Sequence, residues 1–268
     1  MKVVQVQFVP WDKAYNFDPV NSVLAIGDYV VTKTELGVEI GKVIGFKELN
    51  EQEVEELGEI KAILRKATTT DLEKIPGEKQ KKKALEYCKK MIDKYKLPMK
   101  LTDVHYAFDG SRLTFAFIAD GRIDFRELVK DLTKHFSRTI RLQQIGIRDE
   151  AKLIGDYGHC GRQLCCGRFL SNLASITSEM AELQRVAHRG SERISGICGR
   201  LMCCLAYEED GYEALAKKLP LLGARVDVDG KKGVVVGHHI LKQSVDVEFL
   251  GENGEKGAIV EVDLNRHK

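Results

Sequence analysis

A seven-residue phrase occurs twice in this chain, as Cys160-Gly161-Arg162-Gln163-Leu164-Cys165-Cys166 and as Cys198-Gly199-Arg200-Leu201-Met202-Cys203-Cys204, and holds six of the seven cysteines. The shared Cys-Gly-Arg opening, the apolar fifth place and the closing vicinal pair are a strong constraint, because cysteine is scarce and position-specific. Any fold of this chain must present two thiol-bearing segments of the same build. With 268 residues, 43% hydrophobic and 31% charged, there is material for one large domain or two to three small ones with real cores. The run Met1-Lys2-Val3-Val4-Gln5-Val6-Gln7-Phe8 lacks the basic flank and long apolar core of a secretory signal, and no later apolar run reaches bilayer-spanning length. The expectation is a cytoplasmic protein without membrane insertion. In that reducing compartment, clustered cysteines point to metal binding or redox chemistry rather than structural disulfides. A formal charge of +2 selects no partner class.

Hydrophobic periodicity predicts an α+β fold. Residues 3 to 9 alternate as a half-buried strand, and Gly27 to Val31 and Gly37 to Gly45 read as short strands punctuated by glycine. The acidic stretch Glu48 to Glu59 reads as a solvated helix face, followed by a strand near Ile60 to Leu64. After Pro76, a lysine-rich segment places Ala84, Leu85, Cys88, Met91, Ile92 and Tyr95 at helical spacing, ending at Pro98. Cys88 reads there as a core residue. A strand Leu101 to Phe108, the turn Asp109-Gly110-Ser111 and a strand Leu113 to Ile118 form a hairpin signature. A helix from Asp124 and a strand from Thr139 to Ile147 complete a helix-strand-strand-helix-strand sandwich. A helix from Leu205 toward Leu219 leads into four strands joined by glycine turns, read as a small barrel, with His238 and His239 in one of its turns. Its Gly233-Val234-Val235-Val236-Gly237 echoes Gly41-Lys42-Val43-Ile44-Gly45. The expected organisation is an N-terminal β module over 1–66, an α+β core over 67–150, a cysteine-rich segment over 151–220 and a small β-barrel-like module over 221–268.

The basic residues change type at the cysteines. Arg138, Arg141, Arg148, Arg162, Arg168, Arg185, Arg189, Arg193 and Arg200 surround the phrases, and Lys152 is the only lysine between Arg138 and Cys204. Arginine forks onto carboxylate or phosphate oxygens and neutralises thiolates, so the segment suits RNA contact, an acidic partner, or ion pairs to Asp149, Glu150, Asp156, Glu179, Glu182 and Glu192. Iron and zinc both take thiolates. The C-x4-C-C spacing departs from the C-x2-C knuckle of structural zinc sites, which favours iron and sulfur over zinc. A cubane needs four thiolates, drawn from Cys160, Cys198 and one or both members of each vicinal pair, with the glycines allowing close backbone approach. Six exceed one four-ligand site, and the surplus suits ligands shared across an interface. His159 reads as a neighbour rather than a ligand, and a redox dithiol at Cys165-Cys166 is a third reading. No carboxylate spacing suggests a two-metal nuclease.

Phe108-Asp109-Gly110-Ser111-Arg112-Leu113-Thr114-Phe115, Ile123-Asp124-Phe125-Arg126-Glu127-Leu128, Gln144 to Lys152, Ser195-Gly196-Ile197-Cys198 and the two phrases resemble the bacterial YaaT/RicT family, which carries a PSP-type conserved C-terminal region. The resemblance covers most of the chain and is most specific over residues 101 to 207. It implies a non-enzymatic adaptor that joins two small helical partners, RicA and RicF, in a complex bearing 4Fe-4S clusters. That complex is associated with RNase Y in maturation and decay of messenger RNA, and in spore formers with sporulation, competence and biofilm formation. Carried over by position, Cys160, Cys165, Cys166, Cys198, Cys203 and Cys204 are the candidate ligands, and none departs from the family pattern.

Overall fold

The alternation of Val4 and Val6 with Gln5 and Gln7 leaves one face of a strand to bury, and β1 (Lys2–Gln7) forms there with both valines fully enclosed. It belongs to the first of two units in the computed structural model, Met1–Tyr157 and Gly158–Lys268. The structure describes residues 1–20, 22–170, 173, 175–250 and 256–264.

In the first unit, β2 (Tyr15–Phe17), β3 (Tyr29–Thr34) and the long β4 (Gly37–Glu48) follow β1. Helix α1 (Glu51–Leu57) arises in the acidic stretch because Asn50 caps it: its side chain accepts from Glu53 N at 2.8 Å, and Glu53 accepts from Asn50 N at 3.1 Å. Strand β5 (Ile63–Lys66) starts later than the apolar run suggests and completes an antiparallel sheet ordered β2-β1-β4-β3-β5. Gly41 lies where β4 passes over Val6 and Phe8, and a Cβ there would collide with both.

A short helix α2 (Thr69–Glu73) leads to α3 (Glu78–Lys94), whose apolar stripe buries Ala84, Cys88 and Ile92. The hairpin β6 (Lys100–Tyr106) and β7 (Arg112–Ile118) is antiparallel, and α4 (Arg126–Phe136) then carries the chain to β8 (Thr139–Gln144), which pairs with β7 in parallel. Both helices pack on one face of this sheet, where Leu128 and Leu132 meet Val104, Leu113, Phe115 and Ile140. The other face carries Ala116, which packs with Val9, Trp11 and Ile145. Strand β7 is therefore covered on both sides. The final strand is shorter than its sequence pattern suggests: Ile147 opens α5 (Ile147–Ile154), because Gly146 turns the chain and donates to the Asp149 carboxylate at 3.3 Å.

The second unit begins with α6 (Cys165–Arg168), α7 (Ser178–Leu183), a 3-10 turn Ala187–Arg189, α8 (Ser191–Ile194) and α9 (Cys203–Ala216). Ala181, Ile194 and Leu205 form a small core among them. Strands β9 (Arg225–Val228), β10 (Lys231–His239), β11 (Ser244–Leu250) and β12 (Lys256–Asp263) form an antiparallel meander in the order β12-β11-β10-β9. Strands β9 and β12 stand at its two edges, so the ladder is an open sheet where the sequence suggests a barrel. Val235, Val245 and Val247 bury against Leu219, with Tyr212 and Leu215 of α9 beside them. His238 and His239 end β10 rather than sitting in a turn; His238 donates to the Pro220 carbonyl at 2.7 Å, and His239 lies 3.0 Å from Asp246. The echoed glycine-valine runs occupy comparable places, each on an inner strand with a bulge in its ladder. Among the described residues, no helix is long and apolar enough to cross a membrane.

Candidate functional site

Each cysteine phrase folds as a tight hairpin turn that runs straight into a helix. Gly158 N donates to the Arg162 carbonyl at 2.8 Å, and Gly196 N donates to the Arg200 carbonyl at 2.8 Å. Inside each loop, Gly161 N donates to Gly158 O and Gly199 N to Gly196 O, both at 2.9 Å. Gly161 and Gly199 both adopt φ +73°, a left-handed conformation costly to a residue with a Cβ, which explains the glycine of Cys-Gly-Arg. The next bond also repeats, from Gly167 N to Leu164 O at 3.0 Å and from Leu205 N to Met202 O at 3.1 Å. Leu164 and Met202 precede the first residues of α6 and α9, so each vicinal pair opens a helix.

The structural repeat is longer than the seven-residue phrase. Gly158 and Gly196 stand two residues before Cys160 and Cys198, and each closes its hairpin. That signal is visible in the sequence, where both copies read Gly-x-Cys-Gly-Arg, yet cysteine counting passes over it.

The fold places Cys160 in an exposed position, Cys166 in a buried one and Cys165, Cys198, Cys203 and Cys204 between those extremes. The two copies meet. His159 donates from Nε2 to the Ser195 carbonyl at 2.9 Å, which ties the first turn to the second. Phe169, just beyond α6, lies edge-on to Tyr207 of α9 with ring centroids 5.2 Å apart. Burial pushes the Cys204 thiol above its ordinary value, with further upward pushes from Glu208, Cys165 and Cys160. Thiols of the first phrase therefore lie within electrostatic reach of the second. The donor chemistry suits a thiolate-bound metal or cluster. Yet among the described residues no three thiol, imidazole or carboxylate side chains converge as a completed metal site. The six cysteines fall in two turns of matched build. Cys88 stands apart on α3, fully buried, with its thiol pushed up to about 12 by desolvation.

Two of the acids beside the arginine-rich segment pair with lysines. Asp149 pairs with Lys152 at 2.9 Å and Glu150 with Lys100 at 2.7 Å. Arg138 lies over the Tyr106 ring at 5.7 Å, and Arg185 reaches His238 Nδ1 at 3.5 Å.

Residues 61–145 match the PSP1 C-terminal conserved region, and residues 175–219 match the third domain of PSP1-like proteins. The chain is 41% identical over 256 residues to the stage 0 sporulation protein YaaT of Bacillus subtilis (strain 168), covering 95% of this chain and 91% of that protein. It is also 31% identical over 157 residues to an uncharacterized protein of Schizosaccharomyces pombe, covering 48% of this chain and 21% of that one. No solved structure matches. With nearly the whole chain aligned to YaaT and two PSP1 regions matched, this chain belongs to the YaaT/RicT family.

Proposed function

We propose that this chain is a non-enzymatic regulatory adaptor of a cytoplasmic iron-sulfur complex that modulates RNase Y-dependent maturation and decay of messenger RNA. In a spore former, the same role would extend to sporulation, competence and biofilm formation; the sporulation part has support from the name of the relative, stage 0 sporulation protein YaaT. The observation that carries the reading is the doubled hairpin, with a lone cysteine in each turn and a vicinal pair at each helix start. A 4Fe-4S cluster takes four thiolates. Six candidate ligands in two half-sites leave thiols for clusters completed by, or shared with, RicA-like and RicF-like helical partners. The cluster would supply a redox- and oxygen-sensitive tie, while this chain holds the ligand-bearing turns in place. The arginines around the phrases offer a surface for RNA.

A thiol-redox enzyme fits less well. The dithiol it would use, Cys165-Cys166, is a vicinal pair rather than the C-x-x-C of dithiol oxidoreductases.

The test is the iron, sulfide and zinc content of anaerobically purified protein, alone and co-expressed with RicA and RicF homologues, alongside its visible spectrum. Iron and sulfide that appear chiefly in the co-expressed complex are expected, and Cys198→Ser is expected to lower cluster content and partner binding together. Stoichiometric zinc in both samples overturns the reading in favour of a zinc-stabilised nucleic-acid-binding module. Unchanged partner affinity in a cluster-free variant breaks the link between cluster and assembly.

A further inference from the structure

We infer that the first unit contains a nucleobase-binding cavity, separate from the cysteine phrases. On the face of β7 opposite Phe115, Arg112 and Thr114 are buried, at 8% and 6% exposure. Arg112 Nη2 donates to Glu39 Oε1 at 2.7 Å and Nη1 donates to the Leu36 carbonyl, but Nε has no hydrogen-bond partner. Glu39, 4% exposed, accepts a second bond from His105 Nε2 at 3.1 Å. This cluster lines a cavity of about 560 Å³ between the two sheets of the unit, in the range of about 300–1,000 Å³ typical of small-molecule sites.

Aromatic rings line the same space. Phe8 lies 5.7 Å from Tyr15 and 6.0 Å from Phe17 between centroids. Trp11 is fixed by its Nε1 donating to Asp103 at 2.8 Å. Tyr15 donates to Asp12 at 3.1 Å, and burial together with Asp12 pushes its phenol up to about 12, so the ring stays neutral.

The contents of the wall select the ligand chemistry. A buried ion pair contributes little to stability, so Arg112 and Glu39 in the wall of a cavity favour recognition over scaffolding. An aliphatic ligand would leave the polar wall of Glu39, His105 and Thr114 unmatched. A bare anion would leave the rings unused and face Glu35, Glu39 and Glu59, which also line the space. A nucleobase answers both halves, stacking on the rings while its polar edge meets Thr114 and His105. Exposed Arg141 in the lining is available to the attached phosphate. The base is that of a free nucleotide or of an unpaired residue in RNA.

Trp11 is the chain's only tryptophan, so its fluorescence reads the cavity directly. The full-length protein is titrated with AMP, GMP, CMP and UMP, with ribose 5-phosphate and inorganic phosphate, and with a short single-stranded RNA. At least one base-bearing ligand is expected to change the emission saturably, while ribose 5-phosphate and phosphate do not. Tighter binding of the RNA than of its mononucleotides assigns the base to RNA, and the reverse assigns it to a nucleotide. Phe8→Leu, which removes a ring, and Thr114→Val, which keeps the shape but removes the hydroxyl, are each expected to weaken binding about tenfold with an unchanged circular dichroism spectrum. No response to any base at millimolar concentration overturns the inference. So does an equal response to ribose 5-phosphate, or wild-type affinity in both variants. Metal content is a separate readout, so this inference and the iron-sulfur reading fail independently.

Discussion

The two cysteine phrases begin alike and end differently. Their hairpins match bond for bond, but Gly167 stands where the second copy has Leu205. Leu205 is 2% exposed and seated with Ala181 and Ile194, and the helix it anchors runs from Cys203 to Ala216. The first helix stops at Arg168. Glycine at its third position offers nothing to bury and costs about 1 kcal/mol relative to alanine. Two identical turns can therefore lead into helices of very different length, because the turn is set by local backbone bonds and the helix by one tertiary anchor.

Thiol reactivity should give the widest separation, with Cys88 as the reference outside both copies. Iodoacetamide at pH 8 is expected to reach exposed Cys160 first and Cys88 last, with mass spectrometry of timed samples giving the order. Folding favours the protonated Cys88 thiol, whose value rises from 9.0 to about 12. Its contribution to stability is thus full below pH 9 and is lost as pH climbs toward about 12. Early alkylation of Cys88 in folded protein would contradict its burial.

Leu205→Ala should cost about 2–5 kcal/mol in urea unfolding of the full chain, as expected for a buried leucine leaving a cavity. A loss below about 1 kcal/mol would remove it as the anchor of α9. Gly161→Ala and Gly199→Ala should each cost about 1–2 kcal/mol, because both sit in the left-handed region, although their Cβ atoms meet no neighbour within 4 Å. Equal losses support equivalent turns, and a clear inequality separates the copies. Gly167→Ala, at a negative φ with open space around it, should stabilise by about 0.4–1 kcal/mol; a destabilised variant would mean the glycine is needed where it stands. His159→Ala should cost about 0.5 kcal/mol through loss of its bond to Ser195, and a silent substitution in the same urea series would show that the copies are held together without it.

The sequence disclosed what periodicity and scarcity can carry. The stripe Ala84, Cys88 and Ile92 and the hairpin around Asp109-Gly110-Ser111 came through because their signals are local. The six phrase cysteines stood out by rarity. What stayed hidden depends on distant partners or caps. The parallel pairing of β8 with β7 is decided by the α4 crossover, which no strand pattern reveals. Gly146 and Asp149 convert the end of an apolar run into a helix start. The vicinal cysteines open α9 two residues before the apolar residues that suggested it. The unmet Arg112 donor was invisible, since Phe108 to Phe115 reads as an ordinary hairpin and the partner Glu39 comes from another sheet.

The hairpin bonds of the phrases also bear on how the proposed cluster would enter. Many small metal-binding modules stay unfolded until the ion arrives, so that loading and folding are one event. Here each turn is closed by its own amides and carbonyls, so the entropy of ordering the loop is already spent in folding. A cluster of the kind proposed above would therefore meet loops whose closing backbone bonds it does not itself supply, and its occupancy would be set by the supply of metal and sulfide.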